Sequence, residues 1–374
     1  MNRAELKEAK RIVVKVGTST ITYPTGKMNL SRMEKLVREL TDLTNQGREI
    51  LLVTSGAIAV GMDRMGKKKR PRAIPERQAL AAVGQGALMH AYGSLFAAYG
   101  KMAGQVLLTR ENSLRHHQYT NSRNALKAML DMGVLPVVNE NDAVAVDEVK
   151  IGDNDTLSAT VATLVDADVL ILLSDVDGLY TANPQRDKTA RLISEVREIT
   201  PEIEALAGDA GSSAGTGGMK TKIEAAKMAM SAGVTMVIAR GDEDGVIRAI
   251  LHGEAVGTLF PAKEVHLKAR KSWLAFGRHI AGDLVVDDGC AAAMLTGGKS
   301  LLAAGLVSVE GDFGARSTVR VLNLAGREIA RGIVNYDAVS LRKIAGHRTK
   351  EIAEVLPAPV FDEVIHRDNM VLMV

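Results

Sequence analysis

Six short runs of apolar residues punctuate the first two thirds of the chain: RIVVKVG (11–17), EILLVTSG (49–56), GQVLLT (104–109), VLPVVNEND (134–142), DVLILLSD (168–175) and VTMVIA (234–239). They are apolar at successive positions rather than at every second one, which suits strands buried on both faces of a parallel sheet. Between them the spacing becomes helical. SRMEKLVRELTDLTNQG carries Met33, Leu36, Val37, Leu40 and Leu43 on one face, with Ser31 and Glu34 in capping-box spacing and Gly47 as the stop. Further helices are predicted from near Glu76 toward Tyr99, and over 117–132, 154–165 and 219–232. Strand, helix and strand repeated in this way predict an α/β domain, a mostly parallel sheet sandwiched by helices.

The pattern changes after about residue 260. PAKEVHLKARKSW is charged and aperiodic, as a linker is, and beyond it DLVVDD, LVSVEG, STVRVLN and EIARGIV read as short strands punctuated by glycine. The expected organisation is an α/β domain over 1–263, a linker over 264–279, a small β-rich domain over 280–360 and a C-terminal tail over 361–374.

Composition narrows the setting more than the function. Of 374 residues, 46% are apolar and 24% charged, which are globular proportions, and the net charge of +3 is too small to argue for nucleic acid. Cys290 is the only cysteine, so an intrachain disulfide is excluded and a reducing compartment is expected. The start, MNRAELKEAK, lacks the apolar stretch of a signal peptide, and apolar runs such as VLILL at 169–173 fall far short of the ~20 residues a membrane helix needs. A cytoplasmic location, with no membrane partner, is the expectation.

In a parallel sheet, ligands gather outside the carboxyl ends of the strands. Here those exits read GTS, TSGA, NEND and SDVDG, so small, hydroxyl and acidic residues converge on one edge. Lys15 lies inside a buried-type strand, and its ammonium must either leave by the strand end or meet an anion. GTGGMKTK (215–222) puts glycines ahead of a helix N-terminus with Lys220 and Lys222 nearby, which fits a phosphate cradle and equally a surface loop. Helix capping accounts for one residue in each of NEND and GDND (152–155). Five carboxylates, Glu140, Asp142, Asp147, Asp153 and Asp155, then need an ammonium group or Mg²⁺ to gather them. GGKS at 297–300 fails as a P-loop because Ala293 stands where a glycine is required.

Taken in order, VKVGTS, VTSGAIAVG, LAAVGQG, GQVLLTR, VLPVVNENDAV, IGDNDTLSA, SDVDGLYTANP and GTGGMKTKIEAA resemble the bacterial glutamate 5-kinases, and GDLVVDDGCAAAM through GREIARGIVNY resembles a PUA domain. The resemblance implies an amino-acid-kinase fold that uses ATP and Mg²⁺ to phosphorylate the side-chain carboxylate of L-glutamate, the first step toward proline. It implies that Lys15, Lys222 and Asp155 are catalytic and that Ser55, Gly56, Ala57, Asp142 and Asn154 hold glutamate. Ser174, Asp175 and the stretch Thr216, Gly217, Gly218, Met219, Lys220, Thr221 and Lys222 would hold ATP together with Lys15, and Asp153 is a candidate metal contact. It further implies a homo-oligomer, dimer or tetramer, with proline as a feedback inhibitor and glutamyl phosphate reductase as a partner. Cys290 stands where the PUA resemblance expects a glycine, and GDFGARSTVRV departs from the usual lead into its strand; both count against RNA as a partner.

A carboxylate nucleophile has a reference pKa of ~4.3 and is ionised at neutral pH, so no general base is required. The expected obstacle is repulsion between that carboxylate and the triphosphate, which cationic side chains relieve.

Overall fold

The structure, a computed structural model, describes residues 1–109, 116–144, 154–184, 186–208, 218–262, 280–315, 317–356 and 361–373. Asp147, Asp153, Thr216, Gly217 and the linker predicted over 264–279 lie outside the described residues. The chain divides into two units, Met1–His266 and Leu267–Val374.

In the first unit the strands are β1 (Arg11–Val16), β2 (Glu49–Val53), β3 (Met102–Leu108), β4 (Val134–Glu140), β5 (Val169–Ser174), β6 (Thr235–Arg240) and β7 (Thr258–Phe260). The helices are α1 (Thr18–Ile21), α2 (Leu30–Asn45), α3 (Ala57–Arg64), α4 (Ile74–Ala98), α5 (His116–Asp131), α6 (Asn154–Leu164), α7 (Pro201–Gly208), α8 (Met219–Ser231) and α9 (Val246–Leu251). Among the described residues the sheet runs β3-β4-β2-β1-β5-β6-β7, parallel throughout except for the antiparallel pair β6–β7.

The apolar runs behave as their composition predicts. Every residue of β5 is buried, as are five of the six in β1. Val14, Val16, Ile171 and Val237 join Met33, Val37 and Leu40 of α2 in one core cluster, so the helical stripe read from the sequence is the face that meets the sheet. Two local readings change. Helix α2 is capped by Asn29, whose side chain accepts from the Arg32 N–H at 3.1 Å, and Ser31 lies inside the helix. Strand β3 is an edge strand, and Met102 at its start is 70% exposed.

The chain builds β2, β3 and β4 on one side of β1 and then crosses to β5 on the other, so β1 marks the point where strand order reverses. Registers Lys15↔Val53, Val16↔Leu173 and Val53↔Val138 bring the exits of β1, β2, β4 and β5 level along one edge.

The second unit has its own sheet, ordered β12-β11-β10-β8-β9, from β8 (Ile280–Val286), β9 (Leu306–Glu310), β10 (Thr318–Leu322), β11 (Glu328–Ile333) and β12 (Met370–Leu372). Its helices are α10 (Asp288–Leu295), α11 (Ala338–Ile344) and α12 (Thr349–Val355). Segment 361–374, read from the sequence as a tail, supplies β12, which pairs antiparallel with β11 through Gly332↔Met370. Cys290 sits on α10 against Gly305, where an added Cβ would lie 2.4 Å from the cysteine Cβ. Burial pushes the Cys290 thiol up to about 11, with Asp287 adding to the shift, so it is a packing residue and not a reactive thiolate.

Candidate functional site

The centre of the level edge is an ion cluster assembled from three distant segments. Lys15 leaves the central strand β1, Asp155 opens α6 and Lys222 lies in the first turn of α8. Lys15 Nζ is 2.5 Å from Asp155 Oδ1, and Lys222 Nζ is 3.1 Å from Asp155 Oδ2. Thr221 Oγ1 donates to the same Oδ2 at 3.0 Å. All three charged residues are buried, Asp155 completely. The two ammonium nitrogens are therefore no farther apart than one carboxylate and two hydrogen bonds allow.

The electrostatics follow from that geometry. Burial by itself would raise the Asp155 carboxyl; Lys15 and then Lys222 outweigh it by charge and by hydrogen bonding and hold it down at about 2. Two ammonium groups thus flank one carboxylate where two helices, α6 and α8, begin, and helix N-termini favour anions. Such a buried cationic point is suited to the oxygens of a phosphoryl group.

Beside it is a neutral, amide-rich wall. Asn154 Nδ2 lies within donor reach of the Thr54 carbonyl at 2.9 Å, Ser55 Oγ at 2.8 Å and Asn139 Oδ1 at 3.1 Å. Gly56 follows with φ of +97° and caps α3, and Ala57 is the first residue of that helix. A side chain at position 56 would be strained by that φ and would press on Ile21 Cδ1 at 3.1 Å. Asp142 lies just past β4 and is partly buried; burial lifts its carboxyl above the usual range, against the pull of Arg70 and Arg77.

On the other side of β1, Ser174 ends β5, and its hydroxyl donates to Asp175 Oδ1 at 3.0 Å. Gly218 caps α8 in extended conformation, followed by buried Met219 and exposed Lys220. The structure thus joins Lys15, Asp155, Thr221 and Lys222 in one cluster and Ser55, Gly56, Ala57 and Asn154 in a second beside it, with Ser174 and Asp175 at the next strand exit.

Gln85, Tyr92 and Asn139 of this wall escaped the sequence reading. Asn139 Nδ2 donates to Gln85 Oε1 at 2.8 Å, and the Tyr92 hydroxyl is 3.1 Å from that of Thr54. Gln85 could have been found as a polar residue within the apolar stripe Leu80, Ala81, Gly84, Leu88 of α4. Asn139 is the neutral first residue of the otherwise acidic motif NEND, and nothing in that motif marks its amide for this contact.

Among the described residues no group of three or more His, Cys, Asp and Glu side chains gathers into a metal cage, and both Asp155 oxygens are taken by lysines. The described residues do not form a Mg²⁺ site of their own. No described helix is long and apolar enough to cross a membrane.

Comparison with known proteins gives the family. The amino acid kinase family matches residues 10–240 and the PUA domain residues 282–356. A protein named glutamate 5-kinase from Moorella thermoacetica is 53% identical over 371 residues, covering 99% of this chain and 98% of that one. Those so named from Carboxydothermus hydrogenoformans and Myxococcus xanthus are 53% identical over 373 residues and 47% identical over 371, each covering 99% of this chain and 100% and 98% of their own. The chain belongs to the amino acid kinase family and, within it, groups with the glutamate 5-kinases, and a PUA domain follows later in the sequence.

Proposed function

We propose that this protein transfers the γ-phosphoryl group of ATP to the side-chain carboxylate of L-glutamate, forming L-glutamyl 5-phosphate and ADP, the first step of proline biosynthesis. The observation that carries the reading is the buried Lys15–Asp155–Lys222 cluster, two ammonium groups held by one carboxylate, next to the Ser55–Asn154 amide wall.

A glutamate carboxylate oxygen attacks the γ-phosphorus, the bond to the β,γ-bridging oxygen breaks, and its electron pair leaves with ADP. The nucleophile arrives ionised, so no proton has to be removed. What must be overcome is repulsion between two anions, and Lys15 and Lys222 do this by facing the phosphoryl oxygens from two directions. Asp155 is the organiser: it fixes both ammonium groups before substrate arrives, so little reorganisation accompanies transfer. Ser55, Gly56, Ala57 and Asn154 hold glutamate at the β2 exit, and Asp142 supplies the carboxylate partner for its α-ammonium. Ser174 and Asp175, with the stretch from Thr216 to Lys222, hold the nucleotide.

Mg²⁺ enters this reading as a companion of the ATP phosphates, with Asp153 as the candidate protein contact. The reading also includes a cytoplasmic location, a dimer or tetramer built on the kinase unit, proline as feedback inhibitor, and a glutamyl phosphate reductase that consumes the labile acyl phosphate. Trapping tests the core of it: with ATP, Mg²⁺, glutamate and hydroxylamine the purified protein forms glutamyl hydroxamate. Glutamate-independent ATP loss, or no hydroxamate at all, contradicts it.

A further inference from the structure

The amide wall has a direction, and main-chain groups set it. Asn139 Oδ1 accepts from the Glu140 N–H at 2.9 Å. A backbone N–H can only donate, so Asn139 Nδ2 must point the other way, to Gln85 Oε1 at 2.8 Å. At the far end Asn154 Nδ2 donates to the Thr54 carbonyl, which can only accept. Asn154 Oδ1 is thereby left as an acceptor that this run does not use. Among the described residues neither this oxygen nor Gln85 Nε2 has a hydrogen-bond partner, and both are buried. The run of amides from 85 through 139 to 154 begins in an open donor and finishes in an open carbonyl oxygen.

Gln85 reaches this wall from α4, a helix that otherwise buries apolar and small residues there, and it is only 8% exposed. Two turns further along the same helix, Tyr92 grips Thr54. One helix therefore holds the exits of both β2 and β4. A buried amide donor without a partner costs about 1–3 kcal/mol, a cost an apolar residue at 85 would avoid.

We propose that Gln85 is a positioning residue for the amino-acid substrate: it seats Asn139, whose Oδ1 braces Asn154 Nδ2, and so holds in place the Asn154 side chain whose orientation the Thr54 carbonyl sets, with Oδ1 and not the NH₂ group left for the substrate's α-ammonium. The inference rests on the proposed function and refines its glutamate site. A flipped Asn154 would present two N–H groups to a cation, so the lock confers preference for a free ammonium at this position. The ion cluster at Asp155 does not pass through Gln85, so transfer itself is left alone.

The test is steady-state kinetics on Gln85→Met, which keeps length and removes the acceptor, beside Gln85→Glu at pH 6.5, which restores an acceptor oxygen. Loss of the anchoring bond is expected to raise the KM for glutamate about tenfold, with kcat and the KM for ATP within about twofold of wild type. Gln85→Glu is expected within about threefold of wild type on all three. If Gln85→Met fails to fold, Gln85→Asn replaces it, since the shorter side chain withdraws the same oxygen while keeping the amide. An unchanged glutamate KM, equal rises for both substrates, or a Gln85→Glu protein as impaired as the variant lacking the acceptor overturns the proposal. Wild-type protein that does not phosphorylate glutamate overturns the proposed function along with it; active wild type with an indistinguishable Gln85→Met overturns this inference alone.

Discussion

Replacing Asp155 by Asn keeps the shape of the side chain and removes the one negative charge between Lys15 and Lys222. Both lysines are less than a tenth exposed, so water cannot take over as counter-charge. The carboxyl is held at about 2 against an ordinary 3.8, a gap equivalent to about 2–3 kcal/mol of folding stability at neutral pH. Because the folded value is the lower one, that contribution is complete above pH ~4 and disappears as pH falls toward ~2. Deleting the charge costs more than protonating it, about 3–5 kcal/mol, because two buried ammonium groups lose their partner. At about 2–4 °C per kcal/mol, the kinase unit of Asp155→Asn should melt about 10 °C below wild type. ADP should recover a larger part of that loss than the shift it gives wild type, because its phosphates replace the missing anion. Turnover should fall by about 10²–10³, the usual effect of disturbing groups that face developing charge. Melting curves with and without ADP, together with initial rates of hydroxamate formation, measure all of this. A variant that melts within about 2 °C of wild type and keeps kcat within about threefold would refute the reasoning.

Lys222→Ala should lower kcat by at least about 100-fold while the KM for glutamate moves by less than about fivefold, and equal losses in both would remove Lys222 from the phosphoryl group. Asp142→Asn should raise the KM for glutamate by about tenfold or more with little change for ATP; a loss borne by ATP would reassign the residue to metal. Since the Asp142 carboxyl lies above its usual range, glutamate affinity in wild type should weaken on acidification at a higher pH than an ordinary carboxylate predicts, a limb that Asp142→Asn lacks. Gly84→Ala would place a Cβ 1.7 Å from the Ala57 carbonyl oxygen, so α3 and α4 must separate; a loss of about 1–3 kcal/mol by melting and a raised glutamate KM are expected.

Much of the fold was legible because each part of it is carried by a local pattern. Strands β1, β2, β4 and β5 are continuous apolar runs, and helices α2, α4, α6 and α8 have clear periodicity or a marked start. Strands β7 and β12 were missed because three residues such as Thr258–Phe260 carry no period and become strands only by pairing with a finished sheet. Asn29 caps α2 although Ser31 and Glu34 have the capping-box spacing, because the backbone turns into the helix two residues earlier. In the site, Lys15 drew notice as a charge inside a buried strand, and its partner proved to be the aspartate at the mouth of α6. The amide wall was not legible, since residues 85, 139 and 154 are neutral, far apart in sequence and joined only when α4 packs against the strand exits.

The central claim is that Lys15 and Lys222 together hold the phosphoryl group as it moves. A crystal structure with ADP, glutamate, Mg²⁺ and aluminium fluoride, which mimics the group in transit, tests it most directly. The account predicts both ammonium nitrogens within about 3 Å of fluoride, with Asp155 still bridging them. A mimic bound elsewhere, or touched by only one of the two lysines, would contradict it.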